Sequence, residues 1–124
     1  MPTPPVVTAY FRAACSLDAG AMAACFASGG EVVDPAAPGP IRGTLALKVF
    51  YGAIAGSFAR LEIREEGVVA AGRFVAARFA GTATGASGKS AFFEGLDVFE
   101  LDEQGRILRL TGFWDPAALM TAIG

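Results

Sequence analysis

The second half of the chain contains four segments in which apolar and polar residues alternate. In chain order, they are LEIREEGVVAAG, RFVAARFAGTATG, KSAFFEGLDVFEL and RILRLTGFW. Such alternation is typical of β-strands, because successive side chains of a strand point to opposite faces of its sheet. Turn-like stretches rich in Gly, Ser and Asp separate the segments, so they are predicted to form an antiparallel meander.

The first part of the chain is predicted to be mainly helical. Thr3-Pro4-Pro5 is a typical helix start, and apolar residues recur after it at the spacing of one helical face as far as about Ser16. Asp18 can cap a second short helix, which carries Phe26 and is predicted to end at Gly29-Gly30.

The middle of the chain contains a short predicted strand and a third helix. The strand, EVVDP, ends at Asp34 because Pro35 cannot continue a hydrogen-bonded ladder. A loop, PAAPGPIRG, follows, and Thr44 is predicted to cap the third helix. DPAALMTAI is predicted to form a last helix. Helices first and strands last indicate an α+β domain whose helices cover one face of an antiparallel sheet.

The size and composition of the chain predict one globular domain over residues 1–124. Of the 124 residues, 53% are hydrophobic, which is enough for one core. The chain is too short for two full-sized domains. No internal repeat or low-complexity tail interrupts this pattern.

The charge pattern argues against nucleic-acid and membrane partners. Ten basic and twelve acidic side chains give a net charge of -2, and no basic stripe is present. No stretch approaches the ~20 apolar residues of a membrane span, and no basic leader precedes an apolar run. The sequence therefore predicts a soluble, cytoplasmic protein.

The residue types present limit the possible chemistry. The chain has no histidine, which removes the commonest general base and metal ligand, so acid-base work falls to carboxylates and tyrosines. Cys15 and Cys25 lie in apolar, helical surroundings and are predicted to be buried, unreactive thiols. Neither a metal site nor a disulfide scaffold is indicated.

One carboxylate lies on the apolar face of a predicted strand. In SAFFEGLDVFEL, alternation places Asp97 on the same face as Phe93 and Phe99. A carboxylate among phenylalanines loses its hydration unless it is paired, hydrogen-bonded or protonated. Asp97 is therefore a candidate functional residue.

The hairpin that follows predicts the surroundings of Asp97. A four-residue turn, Asp102 to Gly105, pairs Leu101 with Arg106, Phe99 with Leu108, Asp97 with Leu110 and Phe93 with Trp114. In this register Leu108 points the same way as Asp97, and Gly95 and Gly112 leave room beside the carboxyl. The result is an apolar pocket with one polar group, whose predicted walls are Phe93, Phe99, Leu110 and Trp114.

The residues alone leave structural alternatives open. Asp97 could instead accept hydrogen bonds from a turn or pair with Arg78 or Arg109. Tyr10, on the apolar stripe of the first helix, could be a core tyrosine, and Asp34 before Pro35 could be a turn residue.

The chain as a whole resembles the bacterial Δ5-3-ketosteroid isomerases of the NTF2-like, or SnoaL-like, superfamily. The resemblance is carried by VVTAYFRAA, LDAGAMAACFA, EVVDP, ALKVFY, GLDVFELDEQGRI and the aromatic end GFW. It implies a cone-shaped α+β fold, in which a curved antiparallel sheet carries three helices on its concave side.

The resemblance also implies an active site and a mechanism. The family's catalytic tyrosine and two aspartates correspond to Tyr10, Asp34 and Asp97. Asp34 is expected to act as the base that moves a proton along an unsaturated ketone, while Tyr10 and a protonated Asp97 donate hydrogen bonds to the enolate oxygen. A carboxylic acid held neutral in this way is a known feature of ketosteroid isomerase.

The remaining expectations concern ligands and partners. Phe50 and Tyr51 match a Phe-Tyr pair of the family, and Phe99 and Trp114 match its aromatic pocket positions. The implied ligand is a small, steroid-like apolar molecule, no cofactor or metal is expected, and the implied assembly is a homodimer.

Two other functions remain open from the sequence. One is a SnoaL-like cyclase or epoxide hydrolase with an aspartate as base; hydrolase relatives need an arginine between two carboxylates, and Gly95 lies near its expected place. The other is non-catalytic binding of a small apolar ligand.

Overall fold

The computed structural model describes residues 2–124 and contains four helices and six strands in this part of the chain. The helices are α1 (Pro5–Cys15), α2 (Ala19–Ala24), α3 (Thr44–Gly56) and α4 (Pro116–Ile123). The strands are β1 (Phe26–Val33), β2 (Ile41–Arg42), β3 (Arg60–Ala71), β4 (Phe74–Thr84), β5 (Ser90–Leu101) and β6 (Ile107–Phe113). The predicted α+β class is confirmed.

The six strands form one curved, open sheet in the order β2-β1-β6-β5-β4-β3. The strands from β3 to β6 make the predicted antiparallel meander. The sheet is not antiparallel throughout, because β1 pairs with β6 in parallel. Helices α1, α2 and α3 pack against one another and against β1 and β3, while α4 packs on β5.

The second helix is shorter than predicted. Asp18 caps it as expected, and its side chain accepts a hydrogen bond of 2.9 Å from the backbone N–H of Ala21. The helix ends at Ala24, however, and Phe26 to Gly30 belong to β1. Gly29 adopts a φ of 73° inside an irregular part of the β1–β6 pairing. The glycines therefore shape a bulged strand instead of ending a helix.

Two smaller boundaries also differ from the predictions. Helix α1 begins within the predicted Thr3-Pro4-Pro5 stretch, with Pro4 as its N-cap, but the N-cap of α3 is Gly43, which places Thr44 in the first turn. Neither cap makes a side-chain hydrogen bond. Within the predicted loop, Ile41–Arg42 forms the short strand β2, because the β1 edge offers backbone groups that it can pair with.

The inner face of β5 follows the predicted alternation. Asp97, Phe99 and Leu101 are buried, whereas Phe92 on the outer face is 67% exposed. The ring of Phe99 contacts Tyr10 and Phe11 of α1 edge-on, with ring centroids 5.7 Å and 6.2 Å apart, respectively. Packing between the inner sheet face and α1 therefore forms the centre of the hydrophobic core.

The predicted register of the last hairpin is wrong. Leu101 pairs with Ile107, and after an irregularity Phe99 pairs with Leu110 and Asp97 with Gly112. The irregularity shifts the register beyond the turn, and it turns Ile107 inward and exposes Leu108. A bulge of this kind leaves little trace in the hydrophobic pattern, since Ile107 and Leu108 are both apolar.

Neither cysteine forms a disulfide, and both are half-buried. The thiol of Cys15 donates to the carbonyl of Ile63, at 3.1 Å. The thiol of Cys25 donates to the carbonyl of Ala21, and partial burial raises its pKa. Among residues 2–124, no helix is both long enough and apolar enough to span a membrane.

The packing at Phe99 allows a test of the fold. Phe99 is wholly buried, so Phe99→Ala is expected to lower the free energy of unfolding by about 3–5 kcal/mol through lost burial and a new cavity. Phe92→Ala removes the same side chain from the outer face of the same strand and is expected to change it by less than about 0.5 kcal/mol. Urea denaturation followed by circular dichroism measures both, and equal losses would contradict the observed facing of β5.

Candidate active site

Three different elements place the predicted catalytic residues. Tyr10 lies in the middle of α1, on the face that the helix buries against the sheet. Asp34 directly follows β1, where Pro35 ends the strand. Asp97 lies on the inner face of β5, with 8% of its surface exposed.

The three residues line one cavity, together with four of the six predicted substrate-binding residues. The free volume inside it is about 70 Å³, several times the space that one water molecule needs. Its walls are mostly apolar, and the predicted residues found there are Tyr10, Asp34, Asp97, Phe50, Tyr51, Phe93 and Trp114.

Within residues 2–124, no cationic group pairs with Asp97. Arg78 pairs with Glu94 at 2.6 Å, and Arg109 pairs with Glu31 at 2.8 Å, so neither arginine neutralises the carboxyl. Burial, and secondarily the nearby charge of Asp34, raises the pKa of Asp97 to about 8. Asp97 is therefore mainly a neutral acid at pH 7, and it has a proton to donate.

Asp34 is half-buried and held by two donors. The indole N–H of Trp114 lies 3.1 Å from each carboxylate oxygen. The backbone N–H of Ala36 donates to Oδ1, at 2.8 Å. These bonds fix the carboxylate at the polar end of the cavity.

Gly112 allows the two carboxyl groups to approach each other. A Cβ atom at this position would lie 2.9 Å from Oδ2 of Asp34 and 3.3 Å from Oδ1 of Asp97. Any side chain here would displace at least one of the two carboxyls, which confirms the room expected at Gly112. The space expected at Gly95 is not free, because the ring of Phe79 fills it and lies 2.5 Å from where a Cβ atom of residue 95 would be.

Tyr10 and Tyr51 form a hydrogen-bonded pair inside the cavity wall. The Tyr10 hydroxyl donates to the Tyr51 oxygen at 3.0 Å. Burial is the main reason why the pKa of both phenols lies well above the ordinary value. The nearby carboxyl groups of Asp97 and Asp34 raise both pKa values further. Both hydroxyls therefore stay protonated. Because hydroxyl hydrogens rotate, Tyr10 can donate to a bound ligand while accepting from Tyr51.

Two predicted substrate-binding residues do not line the cavity. Phe99 is 0% exposed and Leu110 is 1% exposed, and both belong to the core behind the cavity wall. The corrected register explains the position of Leu110, since it brings Gly112 instead of Leu110 beside Asp97. Phe99 instead supports the ring of Tyr10.

Eight cavity residues were not predicted. Ala14 and Ile54 lie one helical turn after Tyr10 and Phe50, so helical periodicity could have identified them. Phe79 faces Gly95 across β4 and β5, a relation that only the strand register reveals. The full set is Phe11, Ala14, Met22, Ile54, Phe58, Leu61, Ile63 and Phe79.

Comparison with known proteins identifies the family of the chain. The sequence profile of the SnoaL-like domain matches residues 7–110, most of the chain. The chain belongs to the SnoaL-like domain family. One relative of this SnoaL-like domain is a steroid Δ-isomerase from Nocardioides simplex, which is 29% identical over 114 residues, covering 92% of the chain and 90% of the relative.

Solved structures share the fold of this SnoaL-like domain at low sequence identity. A Catenulispora acidiphila protein with a ketosteroid isomerase-like fold, in complex with trimethylamine, aligns with a TM-score of 0.86 and 16% identity over 99% of the chain and 95% of its own. An NTF2-like protein of unknown function from Burkholderia pseudomallei gives 0.82 and 17%, over 95% of the chain and 94% of its own. TerC, crystallised with polyporic acid, gives 0.81 and 15%, over 95% of each chain. The predicted cone-shaped fold is thereby confirmed.

The raised pKa of Asp97 predicts how stability depends on pH. The folded state keeps this proton up to about pH 8, whereas an unfolded chain releases it near pH ~4. The folded state therefore binds more protons in this window, so the free energy of unfolding falls as pH rises, by up to about 1.4 kcal/mol per pH unit from this group.

Asp97→Asn is expected to reduce that fall between pH ~4 and ~8, because the amide has no proton to retain. Urea denaturation at a series of pH values measures the difference. Glu103→Gln, which removes a carboxyl from the exposed turn after β5, serves as control and is expected to keep the wild-type pH dependence. Parallel profiles for wild type and Asp97→Asn would contradict the assigned protonation of Asp97.

Proposed function

We propose that this protein is a ketosteroid isomerase-like enzyme that moves a carbon–carbon double bond into conjugation with a ketone. The observation that carries the proposal is a neutral Asp97 and a protonated Tyr10 beside a second carboxyl group, Asp34, in one apolar cavity. Two carboxyl groups in different environments can act separately as hydrogen-bond donor and as base.

In the proposed reaction, Asp34 carries one proton from one carbon of the substrate to another. The Asp34 carboxylate removes a proton from the carbon between the ketone and the double bond. The C–H electron pair then forms a dienolate, and negative charge develops on the ketone oxygen. Hydrogen bonds from Tyr10 and Asp97 stabilise that charge in a dry site. Asp34 returns the proton to the far carbon of the former double bond, so no electrons are gained or lost overall.

Trp114 has a positioning role in this proposal. Its indole N–H holds both oxygens of Asp34, so the base does not have to be oriented during the reaction. The same ring lies 6.0 Å from that of Phe93, centroid to centroid, which makes the indole part of the apolar wall. Trp114 can therefore align the base and contact the substrate.

The apolar walls support a flat, unsaturated ketone as the substrate. The relative from Nocardioides simplex, a steroid Δ-isomerase, supports a steroid-like ring system. The free volume of about 70 Å³ is small for a steroid, so such a ligand would have to displace side chains at the cavity mouth. Phe50 and Ile54 are half-buried residues of α3 on the cavity wall, and they are the side chains that we propose to move.

The alternative epoxide hydrolase function lacks its cationic group. Within residues 2–124, the side chains that line the cavity include no Lys or Arg. The place near Gly95, where an arginine would be expected, is filled by Phe79. The isomerase proposal therefore takes precedence, and non-catalytic binding is left to the experiments below.

A homodimer remains a prediction, and we include it in the proposal. It is supported by Phe92, Leu96 and Phe113, which expose 67%, 38% and 54% of their surface on the outer face of the sheet, since natural proteins usually cover such apolar groups. Location in the cytoplasm and independence from cofactors also remain predictions of the sequence.

The two aspartates are expected to respond differently to substitution. Asp34→Asn removes the group that carries the proton, so the rate is expected to fall by ~10²–10⁴-fold or more. Asp97→Asn keeps an N–H donor near the same place and is expected to be the milder change, whereas Asp97→Leu approaches the ~10²–10³-fold cost of a lost oxyanion donor. An absorbance assay for conjugated enone formation from a β,γ-unsaturated ketosteroid measures the rates.

Thermal unfolding recorded for each variant separates lost chemistry from lost folding. Equal losses for Asp34→Asn and Asp97→Asn would contradict the separate roles of base and donor. An inactive wild-type protein that nevertheless binds the ketosteroid would support the non-catalytic alternative.

A planar phenolic steroid is expected to bind with its phenol oxygen between Tyr10 and Asp97. The phenol resembles the dienolate, and the hydrogen-bond donors are already in place. The double variant Tyr10→Phe, Asp97→Leu is expected to weaken binding by roughly tenfold or more. Calorimetric titration gives the affinities, with Phe92→Ala as the control, and an unchanged affinity in the double variant would argue against this binding mode.

A further inference from the structure

A second buried carboxylate lies on the face of β1 opposite the cavity. The side chain of Glu31 is 7% exposed and binds two arginines, with one oxygen towards each. Oε2 accepts from Nε of Arg109 on β6 at 2.8 Å, and Oε1 accepts from a terminal guanidinium nitrogen of Arg42 on β2. The arginine side chains are 55% and 69% exposed, respectively, so the carboxylate carries most of the desolvation cost.

Glu31 occupies the point where the pairing of β1 with β6 resumes. The first pair is Phe26 with Ile107 and the next is Glu31 with Arg109, so four residues of β1 lie opposite one residue of β6. The positive φ of Gly29 falls in this irregular stretch. Because the ladder is interrupted there, the pairing at Phe26 cannot set the register beyond it.

The register beyond the irregularity determines where Asp34 lies. Three pairs follow without interruption: Glu31 with Arg109, Val32 with Leu110, and Val33 with Thr111. Continuing this pairing by one residue brings Asp34 beside Gly112, which agrees with the 2.9 Å between Oδ2 and the position of a Gly112 Cβ. Gly112 is also the register partner of Asp97.

We propose that the ion pair of Glu31 and Arg109 sets this register and thereby positions Asp34 against Trp114 and Asp97. A slip of β1 along β6 would separate Glu31 from Arg109 and leave Oε2 of a buried carboxylate without its partner, which is costly even if Arg42 stays on Oε1. A slip by one residue would also turn Val32 out of the core and Asp34 out of the cavity. Glu31 is thus a positioning residue, three residues before Asp34, that touches no part of the cavity.

The two arginines are expected to differ in their effect on the position of Asp34. Arg109 lies on β6, the strand that carries Gly112 and leads directly to Trp114. Arg42 lies on β2, a strand of two residues at the edge of the sheet. The backbone pairing of β2 with β1 involves Glu31 and Val32 and does not extend to Asp34. Loss of Arg109 should therefore disturb Asp34, and loss of Arg42 should not, provided that the pair of Glu31 and Arg109 persists.

The single tryptophan of the chain provides a direct readout that needs no enzymatic activity. One tryptophan gives one indole N–H resonance in a proton–nitrogen NMR spectrum, and a hydrogen bond to a carboxylate moves that proton downfield. Asp34→Ala supplies the reference shift for the lost bond. In Glu31→Gln and Arg109→Gln, the indole proton is expected to move most of the way towards that reference.

Three variants serve as controls, one for the charge of Arg109 and two for the position of the substitution. Arg109→Lys keeps the charge and is expected to stay close to the wild-type shift. Arg42→Gln and Arg78→Gln are expected to leave it unchanged; Arg78→Gln breaks a cross-strand ion pair between β4 and β5 that lies outside the β1–β6 register. If Glu31→Gln does not fold, the pair of Arg109 variants carries the test alone.

The outcomes distinguish positioning from stability. An unchanged indole shift in Arg109→Gln, with a lowered melting temperature, would overturn the proposal and leave Glu31 with a purely stabilising role. An equal shift in Arg42→Gln would overturn the assignment to Arg109. Since the readout is the bond between Trp114 and Asp34, the result stands whether or not the proposed isomerisation occurs.

Discussion

Burial of the Asp97 carboxyl without a cation is the constraint on which the site depends. The inner face of β5 removes this group from water, and the two arginines expected as possible partners, Arg78 and Arg109, pair with other carboxylates, Glu94 and Glu31. The group can remain buried at low cost only by keeping its proton, and a neutral acid beside a second carboxyl group is what the proposed donor and base require. The surrounding fold serves to bring Asp34 close to Asp97 without adding a positive charge.

The sequence predicted those parts of the fold that follow from local periodicity. The four long strands, the helix-first order and the inward face of β5 all depend on alternation or helical spacing, and they were confirmed. The errors arise where the pairing is irregular. The bulges after Phe26 and Glu100 insert residues into one strand only, so that Phe26 to Gly30 read as the end of a helix and Leu108 as an inward residue. Register of this kind is decided by tertiary contacts that no local pattern contains.

The same distinction applies to the candidate site. Tyr10, Asp34 and Asp97 were named from polar groups at unusual places and from a family resemblance, and the structure brings them to one cavity. Their catalytic roles remain predictions. Leu110 was placed on the cavity wall because of an incorrect register, and Phe99 because it shares a strand face with Asp97 and matches a pocket position of the family. Phe79 was missed because only its position opposite Gly95 sends its ring into the cavity. Resemblance identified the polar groups, whereas the shape of the apolar wall depends on contacts between strands.

The hydrogen bonds to Asp34 have a consequence for its proposed role as the base, because they make its two oxygens inequivalent. Oδ1 accepts from the backbone of Ala36 and shares the indole proton of Trp114, whereas Oδ2 has only its share of the indole proton. More electron density therefore stays available on Oδ2, and this is the oxygen that lies against Gly112, on the side of Asp97. The carboxylate thus presents one preferred basic atom, so that a proton taken up and later released would travel on the same oxygen without rotation of the side chain.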